Sequence, residues 1–242
     1  MNAIVNFVIT IPITNIHPFE DNPYKVQDNE EMQFLCESIR ENGVLSPLLV
    51  RKIGAAEEYE VISGHRRLYA AHKLDLTELP TVTTDLDRNA AAIALVDSNL
   101  HREHILPSEK AFAYQLKMEA LSHQGAACGQ AGHKSRDAVS DTGSGRQVQR
   151  YIRLTCLIPE LLNKLDTGEM ALSIGVELSY LDEQRQRDVL EQCEINACTL
   201  SYLQAVLPQG LNAAETEDYV IKACEHYRKF QRRREQERRG AA

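Results

Sequence analysis

Hydrophobic positions in the first third of the chain follow a helical period in one stretch and strand-like runs in three others. The helical stretch has one apolar face whose residues lie three and four apart: Met32, Leu35 and Ile39. Asn42-Gly43 follows directly. Because glycine is favoured just past a helix, this pair predicts where the helix ends.

The strand-like runs are PLLVRKI, EYEVIS and LPTVTT. The first two are separated only by residues 54–57, which predicts a hairpin. A helix introduced by Gly64 lies between the second and third runs. Residues 1–105 are therefore expected to form a small α/β domain.

From about Arg88 the pattern becomes helical. Pro107-Ser108-Glu109 is typical of a helix start, with Ser108 as the expected cap. Further helices are predicted up to about Glu194, and a break near Pro208 precedes a last one. The expected fold class is α+β, with a helical domain over 106–200 and a short C-terminal helix within 201–242.

Charge is distributed unevenly over the 242 residues, whose net charge is −8. Residues 132–155 carry five basic and two acidic side chains, and residues 222–239 carry eight and three. Two basic zones on an acidic body are compatible with a nucleic-acid partner. Six scattered cysteines without a CxxC pair indicate reduced thiols, and no apolar run is long enough to span a bilayer. We expect a cytoplasmic protein without a membrane partner.

The stretch Gly64-His65-Arg66-Arg67 is the first candidate for chemistry. Unpaired backbone N–H groups at a helix start attract anions, glycine permits close approach, and arginines bind phosphate oxygens through forked hydrogen bonds. The residues alone also fit a solvated pair of arginines, or arginines paired with the acidic body.

Two more stretches are ambiguous by themselves. The turn from Gly43 to Pro47 is also compatible with a plain helix-to-strand connection. The cluster Asp97-Ser98-Asn99, followed by Arg102, is also compatible with a capped junction between two helices.

Taken together and in this order, the three stretches resemble the N-terminal domain of the ParB partition-protein family. LCESIRENGVLSPLLVR resembles the family's first nucleotide-binding motif, GHRRLYA its GERRxRA motif, and SNLHREHILPSEKA its ENLQRxxLxPxExA motif. SGHRR and RYIRLTCLIPELL resemble the partition-like proteins of conjugative elements most.

The resemblance implies a nucleoid-associated, DNA-loading clamp that binds CTP with magnesium. It implies these nucleotide-binding residues, with Asn99 also near the metal: Gly43, Ser46, Pro47, Gly64, His65, Arg66, Arg67, Asn99 and Arg102. Two positions depart from the family pattern, because His65 and Ser98 stand where the motifs have glutamate. Neither supplies the anionic oxygen that magnesium prefers, so we expect nucleotide binding more firmly than hydrolysis.

A helix-turn-helix is predicted over residues 135–157. In its second helix the cations Arg146, Arg150 and Arg153 share one face, with Val148 and Ile152 on the other. Arginine and glutamine side chains can contact bases or phosphates in a major groove, although a solvated charged face has the same pattern. The predicted DNA-binding residues are Ser144, Arg146, Gln147, Gln149, Arg150 and Arg153.

The last helix has apolar residues three and four apart, followed by a run of arginines. It is compatible with a dimer seam or with docking on the protein's own core. The overall expectation is a CTP-gated homodimeric clamp on double-stranded DNA, acting in plasmid, chromosome or mobile-element segregation, with a ParA-type ATPase as a candidate partner. The alternatives are a transcriptional regulator without nucleotide gating and, since GHRR also resembles the sulfiredoxin-type fold, a phosphoryl-transfer enzyme.

Overall fold

A five-stranded sheet organises the first part of the chain in the computed structural model, which describes residues 7–102, 104–127, 145–195 and 213–240. Its strands are β1 (Val8–Pro12), β2 (Ile16–Pro18), β3 (Leu48–Ile53), β4 (Glu58–Ser63) and β5 (Glu78–Thr84). Their order in the sheet is β1-β5-β3-β4-β2. The antiparallel β3–β4 pair confirms the predicted hairpin. The other pairs are parallel β2–β4 and β3–β5, and antiparallel β1–β5.

The helices of this part of the chain pack on the sheet or on one another. They are α1 (Glu30–Asn42), α2 (His65–Lys73), α3 (Arg88–Leu100) and α4 (Pro107–Ala127). Val61 packs in one cluster with Leu68 of α2, whereas its neighbour Ile62 packs in another with Leu95 of α3. Because successive side chains of a strand point to opposite faces, α2 and α3 lie on opposite sides of the sheet.

The second part of the chain is helical. Its helices are α5 (Gly145–Arg153), α6 (Pro159–Asp166), α7 (Leu172–Leu178), α8 (Glu183–Ile195) and α9 (Ala213–Gly240). The chain divides into two units, one of residues 1–105 and 113–141, the other of residues 106–112 and 142–242. Leu154, Leu161, Ile174 and Leu178 are buried at the centre of the second unit's core.

The last helix is 28 residues long, more than a short C-terminal helix. Ala223 and Cys224 are buried in the second unit's core, and Tyr227 packs against it. The Cys224 Sγ lies 3.8 Å from Sγ of Cys193 in α8. These contacts favour docking on the chain's own core for this part of the helix.

The predicted cap of α4 is wrong in its detail. Ser108 lies inside the helix, whose first residue is Pro107. The Asp166 carboxylate of α6 accepts hydrogen bonds from the Ser108 backbone N–H at 2.9 Å and from its hydroxyl at 2.5 Å. A distant carboxylate thus satisfies a helix-start donor that a local serine was expected to satisfy.

Within the described ranges, none of the helices has both the length and the apolar character that a membrane crossing requires.

Candidate functional site

The turn between β4 and α2 requires a glycine. Gly64 has φ +112°, a conformation that side chains other than glycine rarely adopt. A Cβ at this position would lie 2.9 Å from the Leu48 side chain and 3.2 Å from Nη2 of Arg67. Among the described residues, no side chain caps the start of α2. The first backbone N–H groups of the helix therefore lack a side-chain acceptor from that part of the chain.

An open pocket of about 490 Å³ lies at this turn. Its size is within the usual range for small-molecule sites. It is lined by Glu31, Leu35, Ser63, Gly64, His65, Arg66, Arg67 and Arg102. The structure thus brings together five of the predicted nucleotide-binding residues, including all three arginines.

Arg67 links α2 to the loop that precedes β3. Its Nη1 donates a hydrogen bond to the Ser46 carbonyl and another, at 2.8 Å, to the Pro47 carbonyl. Burial lowers the pKa of the Arg67 guanidinium from its ordinary value. Ser46 and Pro47 thus meet the site through backbone oxygens that this arginine holds, and Gly43, with φ +70°, ends α1 as predicted.

The other two arginines have weaker ties to the protein. Arg66 forms an ion pair with Glu31 of α1 at 3.1 Å, and both side chains are substantially exposed. The guanidinium of Arg102 lies over the Tyr24 ring, 5.7 Å from its centroid. Exposed ion pairs contribute little free energy, so Arg66 can exchange Glu31 for another anion at small cost.

His65 is neutral at physiological pH. Burial, and secondarily the charge of Arg102, lower the pKa of its imidazole to about 4. Its Nε2 accepts a hydrogen bond from the Phe19 backbone N–H at 3.4 Å. The imidazole is therefore a weak base that fills the position of the motif glutamate without its negative charge.

The Asp97-Ser98-Asn99 cluster is turned toward protein groups. Asn99 is buried, is not part of the pocket lining, and donates its amide to the Leu95 carbonyl at 2.7 Å. The Ser98 hydroxyl donates to the same carbonyl, and Asp97 pairs with Lys117 of α4 at 2.6 Å. Among the described residues, no group of three or more histidine, cysteine or acidic side chains could hold a metal ion.

Three lining residues were missed by the sequence reasoning: Glu31, Leu35 and Ser63. Ser63 is adjacent to the motif glycine, which could have pointed to it. Glu31 and Leu35 come from α1, more than one element away, and no local pattern connects them with the turn.

The predicted DNA-binding residues lie on α5, except for Ser144, which is outside the described residues. Arg146 and Gln149 are exposed, whereas Gln147 and Arg150 are partly buried. Val148 is buried at 1% exposure, as the apolar back of the helix requires. Arg153 lies at the end of the helix, where it donates a hydrogen bond to the Ser179 carbonyl. The helix predicted over 135–141 lies outside the described residues.

Comparison with known proteins places these features in a family. The model of the ParB N-terminal domain matches residues 2–100. This range contains the sheet and seven of the eight residues that line the pocket, and Arg102 lies just beyond it. The chain is also 35% identical over 212 residues to the chromosome-partitioning protein Spo0J of Thermus thermophilus, covering 87% of this chain and 69% of that protein. The chain belongs to the ParB family.

A second ParB relative is the probable chromosome 1-partitioning protein ParB of Deinococcus radiodurans, 37% identical over 212 residues, with 87% of this chain and 64% of that protein covered. The chain thus spans about two thirds of the length of these curated relatives. Among solved structures, a Pnob8-like ParB-N domain aligns over 96% of this chain and 99% of its own, with 15% identity and a TM-score of 0.50. At that identity the structural likeness supports the ParB fold alone.

Proposed function

We propose that this ParB-family chain binds CTP at the start of α2 and that the nucleotide gates a homodimeric clamp on double-stranded DNA during segregation of a chromosome, plasmid or mobile element. The observation that carries the proposal is the pocket at Gly64. It combines a helix start that no described side chain caps with three arginine side chains in one open space of about 490 Å³.

The physics of this pocket favours a polyphosphate. Backbone N–H groups and the positive end of the α2 dipole attract anionic oxygens. Arg66 and Arg102 can add charge-assisted hydrogen bonds, since neither donates to a backbone carbonyl within the described part of the chain. Arg67 has a different role in the proposal, because it fixes the Ser46–Pro47 loop beside the phosphates.

The same pocket argues for binding without rapid hydrolysis. The imidazole of His65 has a pKa of about 4 and is a poor proton acceptor at physiological pH. The Ser98 hydroxyl is bonded to the Leu95 carbonyl, and Ser98 is not part of the pocket lining. This arrangement also counts against the phosphoryl-transfer alternative.

The described residues do not fit a resident magnesium ion. Magnesium prefers carboxylate and water oxygens, but Asn99, the predicted metal residue, is buried outside the pocket lining, and no group of three ligating side chains occurs among the described residues. Any magnesium in this proposal would enter with the nucleotide and be held chiefly by its phosphate oxygens.

The DNA-binding part of the proposal is supported by family membership and by α5. This helix buries Val148 and exposes Arg146 and Gln149, as a helix in a major groove must do. The nucleotide can favour the closed clamp only if it binds that state more tightly than the open one. A ParA-type ATPase is the proposed partner in segregation.

The test is a titration of CTP, ATP, GTP and UTP, with magnesium and with or without duplex DNA. CTP-selective binding is expected, and Arg66→Ala should weaken it by about 10-fold or more, as loss of a charge-assisted hydrogen bond implies. Arg40→Ala, at an exposed arginine of α1 outside the lining, is the matched control. Binding of no nucleotide in the presence of DNA would refute the gated clamp.

A nucleotide-independent DNA-binding regulator is the second candidate. One observation favours it, because Arg66 and Arg67 both have partners within the protein. Retention on circular and linear DNA separates the two candidates. A clamp should remain on closed circles in CTP and slide off open ends, whereas a plain regulator should treat both alike.

A further inference from the structure

Arg153, the last residue of α5, is held by two contacts with the turn after α7. Its Nη2 donates a hydrogen bond of 2.8 Å to the Ser179 carbonyl. Its guanidinium carbon lies 4.3 Å from the centroid of the Tyr180 ring. Tyr180 is itself 60% exposed, so this contact lies near the protein surface.

These contacts place the cation where the protein itself stabilises it. Ser179 is the C-cap residue of α7, so its carbonyl lies at the negative end of that helix. The Arg153 Nε is buried without a hydrogen-bond partner in the described structure. Nη2 of Arg153 is thus hydrogen-bonded, its Nε is buried, and its guanidinium lies over the Tyr180 ring. Arg153 must break these contacts before it can bind a phosphate.

The rest of the α5 face differs from Arg153. Arg146 and Gln149 lie on the same side of the helix and are exposed. The face of α5 that carries these residues therefore has two parts. Its N-terminal part is open to solvent, and its C-terminal end contacts the turn after α7. This division could not be predicted from the helical wheel, on which Arg146 and Arg153 are equivalent.

We infer that Arg153 and Tyr180 together position α5 for DNA, and that Arg153 is not itself a DNA contact. The inference rests on the proposed DNA binding. It assigns Arg153 a different role from the one that its sequence position predicts. The stacked pair fixes the orientation of the helix end, and the exposed residues of α5 make the contacts.

The test uses the salt dependence of DNA binding, since each phosphate contact contributes about one to the slope of log affinity against log salt. The probe is a fluorescein-labelled duplex that the wild-type protein has selected from a random-sequence pool. Affinities are measured from about 50 to about 200 mM salt, the range over which such slopes are resolved. The variants are Arg153→Gln, Tyr180→Ala, Tyr180→Phe and the double variant, with Arg146→Gln as the exposed comparator.

Arg153→Gln and Tyr180→Ala should each lower the affinity by roughly 10-fold, as loss of a cation–π contact implies, and leave the slope unchanged. The double variant should lose no more than Arg153→Gln alone, because Arg153→Gln already removes the stacking contact that Tyr180→Ala removes. Tyr180→Phe keeps the ring and should behave as wild type. Arg146→Gln should flatten the slope by about one.

A slope that flattens by about one in Arg153→Gln, or a wild-type affinity in Tyr180→Ala, would overturn the inference. If the wild-type chain binds no duplex from the pool, the proposed function fails instead. Amide hydrogen exchange of the proteins without DNA then distinguishes a local change in α5 from general misfolding of a variant. Amide hydrogen exchange should become faster in α5 and stay unchanged in α2 for both variants, whereas unchanged exchange in α5 counts against the positioning role.

Discussion

At the scale of one residue, the conformation and packing of Gly64 explain why the Gly64–Arg67 motif begins with a glycine. The chain must pass from a buried strand into a helix, and in the proposed site the backbone there must also stay open to an anion. The left-handed φ, and a Leu48 side chain 2.9 Å from where a Cβ would stand, leave room for hydrogen only. The glycine is therefore required by the fold as well as by the proposed ligand.

Replacing Gly64 by alanine should lower the free energy of unfolding by about 2–4 kcal/mol, through backbone strain and overpacking combined. Gly54→Ala is the matched control, since Gly54 also has a positive φ, +60°, but no described atom within 4 Å of its Cβ position. It should cost about 1 kcal/mol, from backbone strain alone. Urea denaturation of both variants measures the difference, and equal losses would contradict the packing argument.

His65 gives the first unit a predictable dependence on pH. Its pKa of about 4 in the folded chain lies below the ordinary 6.5 of the unfolded one. As the pH falls below 6.5, the unfolded state takes up the proton first, so stability decreases until about pH 4 and then levels off. Between neutral pH and pH 5 the expected loss is about 2 kcal/mol.

The variant His65→Gln should lack this component of the pH dependence. Urea unfolding of both proteins, wild type and variant, at about pH 7 and about pH 5 gives the loss of unfolding free energy on acidification for each. The loss in wild type minus the loss in the variant is the contribution of His65. His72→Gln, at an exposed histidine of the same helix, is the control and should lose stability as wild type does. A His65→Gln curve parallel to that of wild type would show that the imidazole protonates freely in the folded chain.

At the scale of the element, Asp166 of α6 accepts hydrogen bonds from the first turn of α4, where the sequence predicted a local cap. Both of its oxygens accept hydrogen bonds from Ser108. Asp166→Ala should lower the free energy of unfolding by about 1–2 kcal/mol, the usual cost of a lost helix cap. Asp166→Asn keeps one acceptor oxygen and should lose less, and thermal denaturation of the two variants tests the order. Equal losses would mean that the acceptor oxygen kept by asparagine contributes nothing to the stability of the helix start.

Local periodicity predicted some elements well and missed others for physical reasons. The β3–β4 hairpin and α1 followed from runs of apolar residues with clear turn residues between them. The three-residue strand β2 is too short to have a period, and it is held by its parallel pairing with β4. Its existence is a property of the sheet and could not be read from residues 16–18.

The candidate site could likewise be predicted only in part. The motif residues Gly64 to Arg67 are neighbours in sequence, so their convergence at one turn was expected. The partners of Arg67, Arg153 and Asp97 were not, because each comes from a separate element. Whether an arginine is open to a ligand depends on such partners, which only the tertiary structure specifies.

At the scale of the whole molecule, the chain divides into two units. A sheet-based unit holds the pocket, and a helical unit holds α5 together with the long helix α9. This division explains why a chain with a net charge of −8 can be a DNA-binding protein in our proposal, since only local basic surfaces need to meet the phosphates.

The most direct test of the central claim compares CTP, CDP, CMP and cytidine by calorimetric titration of the wild-type and Arg66→Ala chains. If the start of α2 holds a polyphosphate, affinity should fall with each phosphate removed. Arg66→Ala should weaken CTP by about 10-fold or more and leave cytidine unaffected. Equal wild-type affinities for CTP and cytidine, or equal losses for both in Arg66→Ala, would contradict the account.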